Sequence, residues 1–201
     1  MLALPWERDQ DQAATDSAEI DDLALVKQAR TDRAAFGTLY DRYVDRIYAY
    51  CIRRLGAREA AEDATSQTFL KLLVALQRPP RDEGSVRAWI FTIAHRVMID
   101  AHRSSRETAQ ILPDDALVSS QAGPEDVVFA RMAGDELREL VRQLPTQQRD
   151  LIYLRLAGLS NEESARVLGI SNGAVRVGQH RAIRRLRELY ERQETRTGSE
   201  S

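Results

Sequence analysis

The chain has 201 residues, of which 43% are hydrophobic, and its 29 Lys+Arg against 31 Asp+Glu leave a formal net charge of -2. This length and apolar content suffice for one medium core or two small ones. The single cysteine, Cys51, excludes an internal disulfide and a cysteine-rich metal site. Because no apolar run reaches membrane-spanning length and the N-terminus lacks the layout of a signal peptide, we expect a cytoplasmic protein without direct membrane insertion.

The near-neutral total conceals an asymmetry between the two ends of the chain. The first thirty positions hold seven acidic residues against Arg8, Lys27 and Arg30, whereas residues 142–192 hold ten arginines against five acidic residues. The basic end predicts a contact with nucleic acid, and the acidic end predicts a solvated tail.

The N-terminal half has the apolar periodicity of helices. Residues 1–17 are polar and acidic without such a period, which indicates a disordered tail. Beyond a short first helix, apolar residues recur at spacings of three and four, with Tyr40 among those expected to face inward. The helices predicted in this way lie at 33–55, ended by Gly56, at 59–76, ended by Pro79-Pro80, and at 86–103. Together they predict a compact helical bundle.

The C-terminal half is also helical and follows a change in composition. Residues 104–124 are rich in Ser, Asp, Gln, Gly and Pro, which is typical of a linker, and no alternation typical of β-strands occurs anywhere. The sequence therefore predicts an all-α protein of two helical domains joined by a flexible linker. The predicted boundaries are 1–17 for the acidic tail, 18–104 for the N-terminal bundle, 105–124 for the linker, 125–192 for the C-terminal domain and 193–201 for a polar tail.

The C-terminal domain carries the spacing of a helix-turn-helix at Ala165, Gly169 and Val175. A small residue is required where the two helices cross, glycine can adopt the left-handed conformation of the turn, and the valine closes the corner. Ser160 followed three residues later by Glu163 predicts a capping box that opens the first helix.

The second helix of this motif is predicted to begin near Asn172, after Ser171 as its cap. Its basic residues are Arg176, Arg181, Arg184, Arg185, Arg187 and Arg192, with His180 among them. Such a helix is suited to phosphates and base edges, although an arginine-rich C-terminal helix can also be simply solvated.

Three blocks of the chain resemble the bacterial extracytoplasmic-function (ECF) sigma factors, and they stand in the order of that family. The first, AEDATSQTFLKLL at 61–73, is similar to region 2.2. The second, VRAWIFTIAHRVMIDAHR at 86–103, is similar to regions 2.3 and 2.4, and residues 144–187 are similar to region 4. The resemblance implies a detachable subunit that binds core RNA polymerase, directs it to promoters and helps to open the DNA.

The resemblance also implies partners. Glu62, Asp63 and Gln67 would contact the clamp helices of the polymerase, although by residue pattern alone they are an ordinary solvated helix face. The helix predicted at 146–157, with leucines at 151, 154 and 156, would dock on the β-flap, although those leucines also have core spacing. Promoter DNA and an anti-sigma factor complete the expected partners.

The helix at 86–103 is implied to bind the minus-ten element as single-stranded DNA. The residues expected to do so are Trp89, Thr92, His95, Arg96 and Arg103. Bases stack on aromatic side chains and arginines follow the backbone in such sites. Trp89 has a competing interpretation as a core residue, since tryptophan at a helix interface often packs. His95-Arg96 stands where the family often has Asn, so base preference is not carried over.

The helix that begins near Asn172 is implied to read the minus-thirty-five element in the major groove. Asn172, Arg176 and Gln179 are expected at base edges, His180 at the DNA, and Arg181, Arg184 and Arg185 at phosphates. Val177-Gly178-Gln179 departs from the family pattern. Gly178 therefore indicates either shifted helix packing or close approach of DNA.

Two other functional classes compete with this one. A two-domain helix-turn-helix regulator that never binds polymerase core would use the N-terminal bundle for dimerisation or sensing. An enzyme is disfavoured because the sequence has no Gly-rich phosphate loop and no metal-ligand spacing among its histidines. We therefore expect no catalytic residues, no cofactor and no metal.

Overall fold

The computed structural model describes residues 22–77, 85–109 and 135–198, with side chains at 22–77, 85–101 and 137–193. Every regular element in these ranges is an α-helix. The helices are α1 (22–28), α2 (Arg33–Leu55), α3 (Arg58–Ala75), α4 (Val86–Ala109), α5 (Asp135–Arg142), α6 (Thr146–Leu156), α7 (Asn161–Leu168) and α8 (Asn172–Gly198). The tail predicted at 1–17 and residues 110–124 of the predicted linker lie outside the described residues. None of the described helices combines the length and apolar character needed to cross a bilayer.

Helix α2 has the bounds that its sequence predicts, because both ends carry capping residues. The Asp32 carboxylate accepts a hydrogen bond from the Ala34 N–H at 2.8 Å, and Gly56 ends the helix in the left-handed conformation at φ 78°. Between these caps, Leu39 and Ile47 are fully buried on the face that meets α3 and α4. The predicted inward stripe is confirmed there.

Tyr40 does not belong to that stripe, so its predicted inward position is wrong. It is 39% exposed and lies at the edge of the bundle, where its ring centroid is 4.6 Å from that of Phe69. An aromatic ring at this edge packs on one side only, which leaves the other side in solvent.

Helices α3 and α4 complete the N-terminal bundle, with boundaries that differ from those predicted. Helix α3 ends at Ala75, before it reaches the prolines expected to end it. Helix α4 continues to Ala109, so the first five residues of the predicted linker are helical. At the other end of the chain, α8 continues to Gly198 and includes much of the predicted polar tail. Both extensions contain residues of high helix propensity, such as Arg106 and Glu107 in α4 and Gln193 and Glu194 in α8, so the helices continue after their apolar periods stop.

The helix-turn-helix is formed by α7 and α8 and has the capping predicted for it. The Ser160 hydroxyl accepts a hydrogen bond from the Glu163 N–H at 3.2 Å, and the Glu163 carboxylate accepts one from the Ser160 N–H at 2.7 Å. Gly169 is left-handed at φ 65°, and Ala165 and Val175 are buried where the helices meet. The capping box and the turn are confirmed.

Gly178 allows α6 and α8 to pack closely. A Cβ atom at this position would lie 2.4 Å from Leu151 Cδ1, well inside van der Waals contact. Leu151 is 1% exposed and belongs to the core beneath the helix-turn-helix. Of the two roles expected for Gly178, helix packing is the one that the structure supports.

The two helical domains are in direct contact. Helix α7 packs on α4, and α6 packs on α2. The apolar core runs without interruption from Ile90 and Phe91 of the N-terminal bundle to Ile152 and Val167 of the C-terminal domain. In this conformation the described parts of the two domains share one core.

Candidate nucleic-acid and partner interfaces

The exposed side of α8 is the candidate surface for duplex DNA. Asn172, Arg176 and His180 are all exposed, and their spacing of four residues places them along one side of the helix. Because α7 and α6 hold the opposite side of α8, this side stays open to a ligand. Its asparagine and arginine side chains have the donors and acceptors that read base edges.

Gln179 lies in the interior and does not join that side. It is 6% exposed, and its Oε1 accepts a long hydrogen bond of 3.5 Å from Arg155 Nη1 on α6. Its side chain therefore lies between α6 and α8, and the expected base contact by Gln179 is wrong for this conformation. The reason is positional, since Gln179 follows Gly178 on the buried side of the helix.

The three arginines expected at phosphates are exposed near the middle of α8. Arg181, Arg184 and Arg185 all face solvent, and Arg184 forms only a loose ion pair with Glu188 at 3.7 Å. Exposed pairs of this kind contribute little to stability, so these cations remain available to an anionic partner.

The candidate single-strand surface of α4 is more buried than its sequence predicts. Trp89 packs against the core and is half-buried, in agreement with its competing interpretation as a core residue. Thr92 is half-buried too, and its hydroxyl donates a hydrogen bond to the Ala88 carbonyl at 2.7 Å. Arg96 is exposed, and the side chain of Arg103 lies outside the described residues.

His95 is buried between α4 and α2, so its expected exposure to DNA is wrong for this conformation. Its Nδ1 lies 3.0 Å from the hydroxyl of Tyr50, which is fully buried. Burial, together with the positive charge of Arg54, lowers the pKa of His95 to about 4. The ring is therefore neutral at physiological pH and forms a polar contact inside the core.

The candidate polymerase-binding face lies on α3. Glu62, Asp63 and Gln67 are exposed, and Glu62 pairs with Arg58 at 2.8 Å within the same helix. The opposite side of the helix, including Leu72, is buried in the bundle. The structure thus places all three predicted residues where a partner can reach them.

Apolar side chains continue this face, and our sequence interpretation missed them. Leu70 is 57% exposed and Val74 is 74% exposed. With Asp63 and Gln67 they form one line at spacings of four, three and four residues, which we call the α3 face. The signal was present in the sequence as a second apolar stripe on a helix whose first stripe already filled the core.

The expected β-flap surface on α6 is mostly interior. Leu151 and Leu154 are buried, whereas Leu156 is 40% exposed. Of the three leucines, only Leu156 is accessible to a partner in this conformation.

Buried ion pairs join the two domains. The Glu163 carboxylate of α7 lies 2.8 Å from Arg87 Nε of α4, and Asp150 of α6 lies 2.7 Å from Arg54 Nε of α2. Burial raises the pKa of Asp150, although the nearby arginines oppose that shift. Burial would also raise the pKa of Glu163, but hydrogen bonds from Arg87 and Ser85 and from a backbone N–H outweigh it, so this pKa is lowered.

Both helical domains match known protein families. Residues 39–108 match sigma-70 region 2, and residues 134–186 match sigma-70 region 4. The chain is 38% identical over 181 residues to the ECF RNA polymerase sigma factor BldN of Streptomyces coelicolor, covering 88% of this chain and 68% of BldN. It is 33% identical over 177 residues to the ECF RNA polymerase sigma factor SigD of Mycobacterium tuberculosis, covering 83% of this chain and 82% of SigD.

A solved structure agrees with these relatives. CnrH, in complex with the cytosolic domain of CnrY, superposes with a TM-score of 0.63 at 26% identity, covering 84% of this chain and 96% of that chain. Both matched regions stand in the order seen in the sequence, and each coincides with one helical domain of the fold. The chain therefore belongs to the ECF RNA polymerase sigma factors.

Proposed function

We propose that this chain binds core RNA polymerase, directs it to promoters with minus-ten and minus-thirty-five elements, and promotes transcription initiation. The observation that carries the proposal is the capped helix-turn-helix with an exposed cationic helix α8, joined in one chain to a sigma-70 region 2 bundle. Neither domain alone distinguishes an initiation factor from an ordinary regulator.

The α3 face supports the polymerase-binding part of this function. An exposed apolar patch bordered by polar side chains is typical of a protein interaction site. Leu70 and Val74 supply the apolar area, and Asp63 and Gln67 supply charge and hydrogen bonding. This combination is suited to a partner that must bind and later be released.

DNA contacts are divided between two helices. We assign base reading in the upstream element to Asn172, Arg176 and His180, and phosphate binding to Arg181, Arg184 and Arg185. At the minus-ten element, Arg96 is exposed and can follow the backbone of a single strand.

The remaining assignments follow from family membership. We infer an initiation factor without catalytic activity of its own, and we place it in the cytoplasm because polymerase and DNA are there. CnrH was solved in complex with the cytosolic domain of CnrY. By analogy, we propose that a protein partner, an anti-sigma factor, also regulates this chain.

The experiment that tests this function measures binding to core RNA polymerase and transcription from a promoter template. The double variant Asp63→Lys with Gln67→Ala should keep its helical content, because both side chains face solvent. It should bind core about tenfold to a hundredfold more weakly, since charge-assisted contacts are lost. Native-gel titration and run-off transcription would measure the two effects.

Asp45→Lys is the matched control. Asp45 is exposed on α2, and its substitution makes the same change in charge outside the α3 face. It should leave core binding unchanged. A wild-type chain that binds promoter DNA but forms no complex with core would contradict the proposal and support the regulator.

A further inference from the structure

We propose that the free chain is held closed by a latch formed by Ser85, Arg87 and Glu163, and that it must open before it can contact both promoter elements. The inference rests on the proposed function, since it concerns promoter DNA. The latch joins α7, the first helix of the helix-turn-helix, to the start of α4, the helix assigned to the minus-ten element.

Hydrogen bonds saturate the Glu163 carboxylate. Its Oε1 accepts from the Ser85 hydroxyl at 2.5 Å and from Arg87 Nε at 2.8 Å. Its Oε2 accepts from Arg87 Nη2 at 2.8 Å and from the Ser160 N–H at 2.7 Å. Three of these four bonds cross between the domains, and the fourth is part of the capping box.

The latch is buried, so its charges depend on each other. The Arg87 and Glu163 side chains are only 12% and 6% exposed. A bidentate pair between arginine and carboxylate fixes orientation as well as distance. If one partner were removed, the other would remain as an uncompensated buried charge, a far larger penalty than the loss of a surface pair.

Ser85 connects the latch to the fold of α4 itself. Its hydroxyl oxygen accepts a hydrogen bond from the Ala88 N–H at 3.2 Å in the first turn of that helix, while the hydroxyl donates to Glu163. The carboxylate therefore binds the two capping serines, Ser85 and Ser160, as well as Arg87. Each domain positions its half of the contact through a helix terminus.

A second ion pair joins the two domains at a different pair of helices. The Arg54 and Asp150 pair joins α2 to α6, and its side chains are 17% and 8% exposed. A shared apolar core also lies between the domains, where α7 packs on α4 and α6 packs on α2. The closed form is therefore stabilised by an extended interface, and the latch and the Arg54–Asp150 pair both supply charge complementarity to it.

The closed form cannot span a promoter. The names of the two elements place them about 25 base pairs apart, or about 85 Å along B-form DNA at a rise of about 3.4 Å per pair. In the structure, Arg87 of the minus-ten helix is hydrogen-bonded to Glu163 of the upstream-reading domain at 2.8 Å, so the two domains are in contact. Two compact domains of this size are each about 30 Å across, so together they reach about 60 Å, less than the separation of the two elements. Helix α7 also packs on α4, the helix that carries Trp89 and the other residues expected at the minus-ten element.

The upstream-reading surface stays accessible while the latch is closed. Asn172, Arg176 and His180 are exposed on the side of α8 away from α6 and α7. Closure therefore affects the minus-ten element and leaves upstream binding unaffected. This difference separates a failure of the latch from a failure of the proposed function.

The variant Glu163→Gln tests the latch with little disturbance to the helix-turn-helix. A glutamine oxygen can still accept from the Ser160 N–H, because the capping box tolerates either residue. Its amide cannot match a carboxylate that binds Arg87 and Ser85 together. Glu162→Gln is the matched control, since Glu162 is exposed in the same turn and pairs with Arg166 of its own helix at 2.7 Å.

The first measurement is the distance between the domains in the full chain. Cysteines introduced at exposed Ser66 and Arg187 would carry a dye pair for single-molecule energy transfer, and the native Cys51 is buried. Glu163→Gln should shift the ratio of closed to open molecules toward open by about tenfold to a hundredfold. Glu162→Gln should leave the ratio unchanged.

Arg87→Gln gives the same test from the other domain and does not touch the capping box. It should produce the same shift as Glu163→Gln. The latch would be refuted if the free wild-type chain were already open, or if both substitutions left the distance distribution unchanged.

The second measurement is DNA binding by the free chain. Single-stranded minus-ten oligonucleotide should bind more tightly to Glu163→Gln than to wild type, while upstream duplex should bind both equally. If distances shift but neither wild type nor Glu163→Gln binds core RNA polymerase and supports promoter-directed transcription, the latch stands and the proposed function fails. If promoter-directed transcription proceeds and Glu163→Gln shifts no distance, the function stands and the latch fails.

Discussion

Gly178 is a residue whose role depends on a neighbour far away in sequence. Alanine there would gain about 1 kcal/mol in helix propensity. Its Cβ would also meet Leu151 Cδ1 at 2.4 Å in a packed core, and overpacking costs about 1–3 kcal/mol. Gly178→Ala should therefore lower the free energy of unfolding by up to about 2 kcal/mol, which urea denaturation would measure.

Gly173 supplies the control in the same helix. It is exposed, and the nearest atom to an added Cβ is Ser171 Oγ at 4.0 Å, an ordinary contact. Gly173→Ala should raise the free energy of unfolding by up to about 1 kcal/mol. The same sign for both substitutions would contradict the assigned packing role of Gly178.

Ser164 carries a polar group in an apolar position. It is fully buried in α7, and its hydroxyl has no hydrogen-bond partner among the described residues. Ser164→Ala should stabilise the fold by about 1 kcal/mol, because the desolvation cost of an orphaned hydroxyl is removed. Thr68→Val should destabilise it, since the buried Thr68 hydroxyl donates to the Ala64 carbonyl at 2.7 Å. Thermal unfolding of both variants would check the opposite signs.

At the scale of elements, α8 has separate sides for base reading and phosphate binding. Arg176→Ala should cost about 1–3 kcal/mol at the cognate site and relax preference at one base pair. Arg184→Ala should weaken binding to all sequences alike and reduce the salt slope by about one unit. Fluorescence anisotropy over a set of upstream duplexes at several salt concentrations would measure both.

Gln179→Ala extends this test to the buried side of α8. Because Gln179 lies between α6 and α8, its loss should change stability and leave base preference unaltered. If Gln179→Ala instead relaxed the preference at one base pair, Gln179 would contact a base in the DNA complex, contrary to its burial in this conformation.

At the scale of the whole molecule, closure should depend on pH through Glu163. Hydrogen bonds from Arg87, Ser85 and Ser160 hold its pKa below the ordinary 4.5 in the closed form. The ionised carboxylate therefore stabilises closure above that ordinary value, and the effect is lost as pH falls through the lowered pKa. Asp150 and His95 also titrate, but wild type and Glu163→Gln share them, so they cancel in a comparison.

The ratio of the closed-to-open equilibrium constants of wild type and Glu163→Gln should accordingly stay constant from about pH 8 to about pH 5, and fall toward one in stronger acid. Single-molecule energy transfer across a pH series would measure the ratio. Glu162→Gln is the control, and its closed-to-open equilibrium constant should match that of wild type at every pH. A ratio that falls to one near neutral pH would mean that Glu163 is not the ionised partner of Arg87.

Local sequence was enough to predict the number and order of the main helices and the helix-turn-helix, although not every helix end. Caps such as Ser160 and Gly169, and apolar spacings such as that of Leu39 and Ile47, act within a few residues, so they can be recognised locally. The family resemblance, carried by three blocks of sequence, was confirmed by comparison. The candidate residues on α3 and most of those on α8 were placed on exposed faces for the same local reason.

Which side chains of those helices stay accessible depends on packing between distant parts of the chain. Gln179 and His95 are buried because α6 and α2 pack against them, and Gly178 is required by Leu151, twenty-seven positions away in the chain. Domain contact through Arg87 and Glu163 was likewise absent from the sequence interpretation. Period and spacing determine which residues share a helix face, whereas packing between distant helices determines whether that face meets solvent or core.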